Sequence, residues 1–485
     1  MCGGALMAPV RAERLFGEDV LVSGEPVGMA LHMALSAGQH GIVAIGDTVF
    51  VAWQGVGPEG YRVYVSRSCD AGSTFSEPVR VNDSDTSACY PSIAIDRLGV
   101  VYVGWNDRRS GEEHVYISKS TDRGLTFGPD VLVDDAGSDP GWRSMSSLAV
   151  DDSGRIYAAW IDKRGNGGTG GVYFSKSLDG GATFSANTAL PNLESGWPQM
   201  AVSVAAVGDG HAYISYVDYR HVDDNPNAFV VVRHTWDAGE TFSAPVDVES
   251  YTCCDNTSIC APVASSALVS WIMPGGNVYV ARSIDGGISF EPGIEVSSRQ
   301  AHDPFTGTVS ISSCAPHMIG VSWKDSLGVL AYAESWDEGT TFDPPVYLRG
   351  PADMRYPTLT MRDCGDVFLA WTDFRNGEDP DVYCCRGYLD PPAGTPGAEL
   401  RLPRLVVSPN PFRIRCAVSV EWGEALTSID VYDPRGRLVR ALRVFGEPIE
   451  WDGKDGQGRK VSPGIYILKA RDRRAVRCEK AVLSR

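Results

Sequence analysis

The side chains with the strongest claim to chemistry stand outside the pattern that dominates this chain. Trp142 and Arg143, Trp197, His302 and Asp303, and Arg355 and Tyr356 fall in loops between repeated units, and Glu112, Glu113 and Glu378 in loops within them. Arginines among aromatics suit a sugar that carries a carboxylate. The pyranose stacks on an aromatic face and the guanidinium forks onto the carboxylate. Arg143, Arg355, Trp142, Trp197 and His302 are therefore the candidate substrate-binding residues. Tyr356, beside Arg355, is a candidate nucleophile, because a neighbouring cation lowers the pKa of a phenol. Glu378 and Asp303 are the candidate catalytic carboxyls, since glycosidic hydrolysis uses a pair about 5 to 9 Å apart. A packed aromatic and a surface arginine are the competing explanation of the same residues.

A second set looks equally inviting. Trp105-Asn-Asp107-Arg-Arg109, Trp160-Ile-Asp162-Lys-Arg164, Tyr216-Val-Asp218-Tyr-Arg220 and Trp371-Thr-Asp373-Phe-Arg375 place an aromatic, an Asp and an Arg at alternate positions. On an extended segment all three share one side. Four copies argue for architecture, Asp–Arg bonds between loops, over a single active site.

The elements that position these residues come from a repeat. SKSTDRGLTF (118–127) has near-copies whose aspartates are Asp70, Asp122, Asp179, Asp237, Asp285 and Asp337, 48 to 58 residues apart. A period of this size signals stacked or radial repeats. Each period reads as four short strands, A to D, which is the blade of a β-propeller. The phrase falls at the C–D turn, and its chemistry suits a turn. The Asp caps following N–H groups, a Gly two residues on takes positive φ, and the closing Phe plugs apolar space. B–C and D–A loops then share the opposite face. Seven B strands end in an aromatic: Trp53, Trp105, Trp160, Tyr216, Trp271, Trp323 and Trp371. The seventh unit has no D strand of its own. GEDVLVSGEP (17–26) echoes the D strand GPDVLVDDAG (128–137), so the expected fold is all-β. It is a seven-bladed propeller over 17–390, its last blade closed by the N-terminal strand, with 1–16 a leader remnant or disordered.

S-x-D-x-G-x-T-F resembles the Asp-box, or bacterial neuraminidase repeat, of sialidase-like propellers. The resemblance implies a propeller that engages glycans, whether as an exo-glycosidase of sialidase type or as a non-catalytic binding scaffold. It further implies arginines gripping a substrate carboxylate, with a Tyr–Glu pair and an Asp acid. No R-I-P-type arginine motif occurs in the propeller segment; the F-R-I run is at Phe412-Arg413-Ile414, outside it. After a proline-rich linker, 391–403, residues 404–485 read as a small β-sandwich. SPNPF, IDVYDPRGRLVRAL and IEWDGKDGQGRKVSPGIYILKA resemble the immunoglobulin-like domain of flagellar hook-cap type. That resemblance implies a sorting or anchoring module of an exported bacterial protein, in contact with envelope or secretion machinery. DGKDGQG reads as a hairpin turn in preference to a calcium loop.

Net charge is −18 over 485 residues, divided as about −26 for 1–400 and +8 for 401–485. So acidic a body repels nucleic acid. No apolar run is long enough to span a membrane. The 12 cysteines have no C-x-x-C pair and no zinc spacing, so neither metal nor cofactor is expected. Disulfides of an extracellular or cell-surface protein are expected instead. Cys416 with Cys478, the group Cys253, Cys254 and Cys260, and the group Cys364, Cys384 and Cys385 are the candidates.

Overall fold

The computed structural model describes residues 14–24, 30–31, 40–57, 60–135, 137, 143–164, 169–190, 197–222, 225–251, 256–273, 275–299, 308–314, 317–348, 354–362, 365–375, 380–389, 404–408, 416–421, 428–433, 438–442, 449–471 and 476–483. They fall into two compact units, one of Arg14–Arg362 with Asp366–Tyr388, the other containing Leu389–Arg485. Within the first, the described residues build seven antiparallel sheets in which strands A to D lie side by side in order, blade 7 taking its outermost strands from the N-terminus. Blade 2 is representative: A is Ala88–Ile95, B is Val101–Asp107, C is His114–Ser120 and D is Val131–Leu132. The seven aromatic-ended B strands all form, and Trp105, Trp160, Tyr216, Trp271, Trp323 and Trp371 are fully buried. Apolar residues on both faces of each blade pack against the neighbouring blades, which is why B strands read as almost unbroken hydrophobic runs.

The repeated phrase closes every C–D turn where it occurs. In the second, Asp122 Oδ1 accepts from Ser120 Oγ and from the Thr126 N–H, and Oδ2 accepts from Thr126 Oγ1. Ser120 Oγ accepts from the Gly124 N–H. The same set recurs around Asp70, Asp179, Asp237, Asp285 and Asp337. These donors hold the Asp237 and Asp285 carboxyls down near pKa 2. Each closing aromatic, from Phe75 and Phe127 to Phe290 and Phe342, packs into the core between its own blade and the preceding one. The phrase is architectural.

Two rings of hydrogen bonds stitch the blades together. Near the axis, a Ser or Thr of each A strand accepts from the backbone of the next. Leu148 N donates to Ser92, Val204 to Ser147, Ile259 to Ser203, Ile311 to Ser258, Leu359 to Ser310 and Gly41 to Thr358, all at 3.1–3.3 Å. Blade 1 has Gly41 where the others have a hydroxyl, and the His40 carbonyl takes its place, accepting from Ile93 N at 2.7 Å. The His40 ring crosses the axis to the Val204 carbonyl, 3.1 Å away, and burial lowers its pKa. Farther out, a long C-strand side chain reaches the next blade's turn: Arg67 to the Arg123 carbonyl, Lys119 to that of Gly180, Lys176 to Glu240 and Arg282 to Thr340.

The N-terminus closes the circle. Val20 and Leu21 pair with Cys384 and Tyr383 of strand C in blade 7, Asp381–Leu389. The closing segment begins earlier than position 17, a correction to the sequence reading. Arg14–Phe16 pairs with the same strand C. Blade 7 lacks the phrase, and this segment supplies what the phrase supplies elsewhere. Phe16 packs into the blade 6–7 core, edge-on to Tyr332 at 5.4 Å. Arg14 extends the outer ring to blades 6 and 7 by binding Glu334 of blade 6 at 2.6 Å, a pair almost wholly buried. Tyr332 Oη donates to the same carboxylate oxygen.

The second unit holds two sheets. Arg404–Ser408, Cys416–Glu421 and Ile449–Trp451 form one; Leu438–Leu442, Ser428–Tyr432, Gly464–Arg471 and Val476–Leu483 form the other. Cys416 and Trp451 of the first pack with Ile429, Val431, Tyr466, Leu468 and Leu483 of the second in one core. In DGKDGQG, Asp455 Oδ1 accepts from the N–H groups of Gln457 and Arg459, and Oδ2 from Arg459 Nε. Its oxygens are thus occupied in closing a hairpin turn.

The cysteine reading needs correction at three positions. Cys384 and Cys385 are free thiols. As neighbours on one strand they point to opposite faces, Cys384 into the blade 7–1 core and Cys385 into the blade 6–7 core. Cys260 is also a buried free thiol. Cys253, Cys254, Cys364 and the side chain of Cys478 lie outside the described residues. No helix among the described residues is long and apolar enough to cross a membrane.

Candidate functional site

Strand register places the candidate face. In blade 2, Ala88 at the start of A and His114 at the start of C both oppose Asp107 at the end of B. Arg143 opposes Asp162 in blade 3, Gln199 opposes Asp218 in blade 4, and Arg355 opposes Thr372 in blade 7. D–A and B–C loops therefore meet at one edge of each blade, and the repeated phrase lies at the other.

The W-x-D-x-R segments occupy that edge as clamps. The Trp105 indole N–H donates to Asp107, whose Oδ1 caps the Arg109 N–H. The Arg109 side chain folds back over the Tyr116 ring, 4.1 Å from its centroid, and binds Asp107, Asp83 and Asp130 at 2.6–2.7 Å. Arg164 repeats this over Tyr173, Arg220 over Phe229 and Arg375 over Tyr383. Asp83 and Asp135 belong to the loop that follows the preceding blade, so in blades 2 and 3 the clamp also ties two blades together. Blade 6 has Asp325 after Trp323 but no matching Arg. There Arg299, from the preceding loop, lies over Tyr347 at 4.3 Å and within 3.8 Å of Asp325. The motif is therefore architectural, as four copies suggest, holding each blade's edge and, in blades 2 and 3, joining neighbouring blades.

The repeat is broken at the mouth between blades 2 and 3. Glu113, in the B–C loop of blade 2, is only 5 % exposed. Arg108 donates to its Oε1 at 3.2 Å, while Oε2 is buried and meets no partner among the described residues. Desolvation raises its pKa, against the opposing pull of Arg108. Arg143 Nη1 donates to the Glu113 carbonyl at 3.2 Å. Tyr90, half-buried on strand A, has its phenol pushed up to about 12 by desolvation, with Cys89 and Glu113 adding to the effect. Desolvation likewise pushes the Cys89 thiol up to about 12. Next in the chain, His114 Nδ1 lies 2.9 Å from Asp134, which also accepts from Val115 N. Asn106, opposite Cys89, is fully buried where blades 3 and 4 carry Ile161 and Val217.

A tyrosine within electrostatic reach of a buried glutamate has a definite chemical capacity. The phenol is a hydrogen-bond donor at neutral pH. Burial raises the proton affinity of the carboxylate, which suits it to take the phenolic proton if the oxygen attacks a carbon. Arg108 supplies a cation at the rim, its side chain 59 % exposed.

The sequence candidates fare unevenly. Arg143 lies at the mouth but is wholly buried, 3.4 Å from Asp162 and 3.9 Å from Asp134, so it is set as an internal anchor with no surface left for a substrate. Tyr356 is half-buried and holds φ = 55°; Tyr90 holds 57°. Both precede a proline and sit in matching A-strand bulges. Arg355 stacks over Phe374 at 4.4 Å. Trp197 is half-buried at the edge of blade 4. Trp142, His302, Asp303 and Glu378 lie outside the described residues. Tyr90 and Arg108 were missed, although YPS at 90–92 and YPT at 356–358 are visibly the same signal.

No family model matches the chain, and no curated protein does. Among solved structures, the chain is similar to a protein of unknown function from Dyadobacter fermentans, at 18% identity and a TM-score of 0.46, covering 64% of this chain and 96% of that one. A Hadza microbial sialidase gives 15%, 0.46, 70% and 73% in the same order. A polysaccharide lyase described as an ulvan lyase gives 12%, 0.49, 75% and 94%. The assignment of a seven-bladed propeller rests on the strand pairing above.

Proposed function

We propose that this chain is an exported bacterial protein whose Asp-box propeller engages glycans at the B–C and D–A face. We propose further that it hydrolyses a glycosidic bond there in the manner of an exo-sialidase, with Tyr90 as nucleophile and Glu113 as its base. The observation that supports the reading is Glu113, a buried carboxylate with one oxygen that meets no partner among the described residues, at a place where the repeat is broken and where its charge acts on the Tyr90 phenol of the same blade. Arg108 at the rim suits an anionic sugar. Tyr356, Arg355 and Trp197 remain candidates on the same face, Glu378, Asp303, Trp142 and His302 remain candidates from the sequence, and Arg143 supports the loop that carries Glu113. Residues 404–485 we assign as an immunoglobulin-like module for sorting or anchoring at the cell surface.

The test is release of fluorophore from a fluorogenic sialoside by the full chain, beside Tyr90→Phe and Glu113→Gln. Expected is a loss of about 100-fold or more in kcat for each variant, with the fold intact by circular dichroism. Wild-type turnover unchanged in both variants would exclude this pair. A second reading, a binding propeller without catalysis, is favoured by the upward shift of the Tyr90 phenol and by the burial of Arg143. It predicts glycan retention with no turnover of any sialoside.

A further inference from the structure

We infer that Trp236 is the centre of a second sugar-stacking site, on the face opposite the Tyr90–Glu113 mouth, and that its ligand is a neutral pyranose. Trp236 occupies the residue before the Asp in the blade 4 phrase, where the other phrases carry Cys69, Thr121, Leu178, Ile284 and Trp336. Trp336 packs against the blade 6–7 core. Trp236 instead leaves 48% of its surface in solvent. Such a ring would ordinarily be mobile, yet two contacts fix this one. It stacks on His234 with centroids 4.7 Å apart and planes within 24°. Its edge rests on Gly286 of the next blade's turn, where a Cβ would lie 2.9 Å from the ring.

A preformed exposed indole is what a sugar ring requires, because its C–H face stacks on the π surface and no side chain has to be ordered on binding. The surroundings decide the class. Asp209, Asp237 and Asp285 lie in the turns beside the ring; their oxygens accept from Ser153, Thr241 and Ser289, and their negative charge stays at the site. The neighbouring cations are already paired, Arg155 with Asp209 and Lys176 with Glu240. An anionic sugar would meet net negative charge there, whereas a neutral one would not. His211, with its ring within 26° of the Trp236 plane at 6.4 Å, extends the platform toward the A–B turn of blade 4.

The experiment is a glycan array with neutral and anionic oligosaccharides, probed with the full chain, Trp236→Ala, Trp236→Phe and the double variant Tyr90→Phe/Glu113→Gln. Trp236→Ala should lose about 10-fold or more of the affinity for neutral glycans, and Trp236→Phe should keep part of it. The double variant should keep neutral binding unchanged, which separates this site from the mouth. The inference is overturned if Trp236→Ala binds neutral glycans like the wild type, if the wild type binds none, or if the binding lost is to anionic glycans alone.

Discussion

One clamp contains more negative charge than it can hold. Around Arg109 stand three carboxylates, Asp107, Asp83 and Asp130. Asp130 Oδ2 also accepts from Asp83 N, and its Oδ1 is buried with no partner among the described residues. Desolvation and the proximity of Asp83 raise Asp130 from near 4 to about 7, while Asp83 is lowered. Blade 3 carries the same geometry with an amide: Asn187 Oδ1 accepts from Asp135 N at 2.8 Å and from Arg164. The substitution Asp130→Asn therefore copies a solution the protein already uses. A carboxyl whose proton affinity rises on folding favours the folded state while it is protonated. Its penalty grows as pH climbs from near 4 through about 7. The full shift would be worth roughly 4 kcal/mol. Asp83 shifts the other way and solvent screens the pair, which leaves about 1–2 kcal/mol. Asp130→Asn should thus be more stable than wild type by that amount at pH 8, and equal to it near pH 4.5. Urea unfolding followed by tryptophan fluorescence at both pH values measures the difference. A variant destabilised equally at the two pH values would refute the charge argument.

Three further outcomes follow from the rings and turns. Ser258→Ala removes the acceptor for Ile311 N in the axial ring and should cost about 1–3 kcal/mol, read as a lower urea midpoint with the slope unchanged. Gly339→Ala meets both a φ of 84° and Leu268 Cδ2 at 2.4 Å from the new Cβ. It should cost about 2 kcal/mol or more by the same assay, whereas Ala at the open turn Gly99, equally positive in φ, should cost less. Arg14→Ala leaves Glu334 buried without its cation and should cost about 3–5 kcal/mol, with added Glu334→Gln recovering part of it; additive losses would show that the pair is uncoupled.

Much of the fold was legible because its devices are local. An Asp that caps the N–H groups three and four residues ahead, and a Gly with positive φ, act within ten residues, so the phrase announced the turn wherever it appeared. The echo of a D strand at 17–26 announced the closure for the same reason. The reach of Arg14 to Glu334, 320 positions away, has no local signature and was missed. So was the axial ring. Ser92, Ser147, Ser203, Ser258, Ser310 and Thr358 share one register, but the five serines each serve a backbone 49–57 residues distant and Thr358 one 317 residues away.

The candidate site divides along the same line. That D–A and B–C loops share a face follows from the order of antiparallel strands, which the residue pattern alone determines. Which residues on that face keep a free functional group depends on how neighbouring blades fill the space between them. Arg143 looked available in the chain and is enclosed by Asp134, Asp162 and the Glu113 carbonyl. Glu113, one carboxylate among many, becomes distinctive only when blades 2 and 3 close over it and leave one oxygen without a partner. Desolvation is a property of packing, set by side chains far apart in the chain, and so the tertiary structure alone decides it.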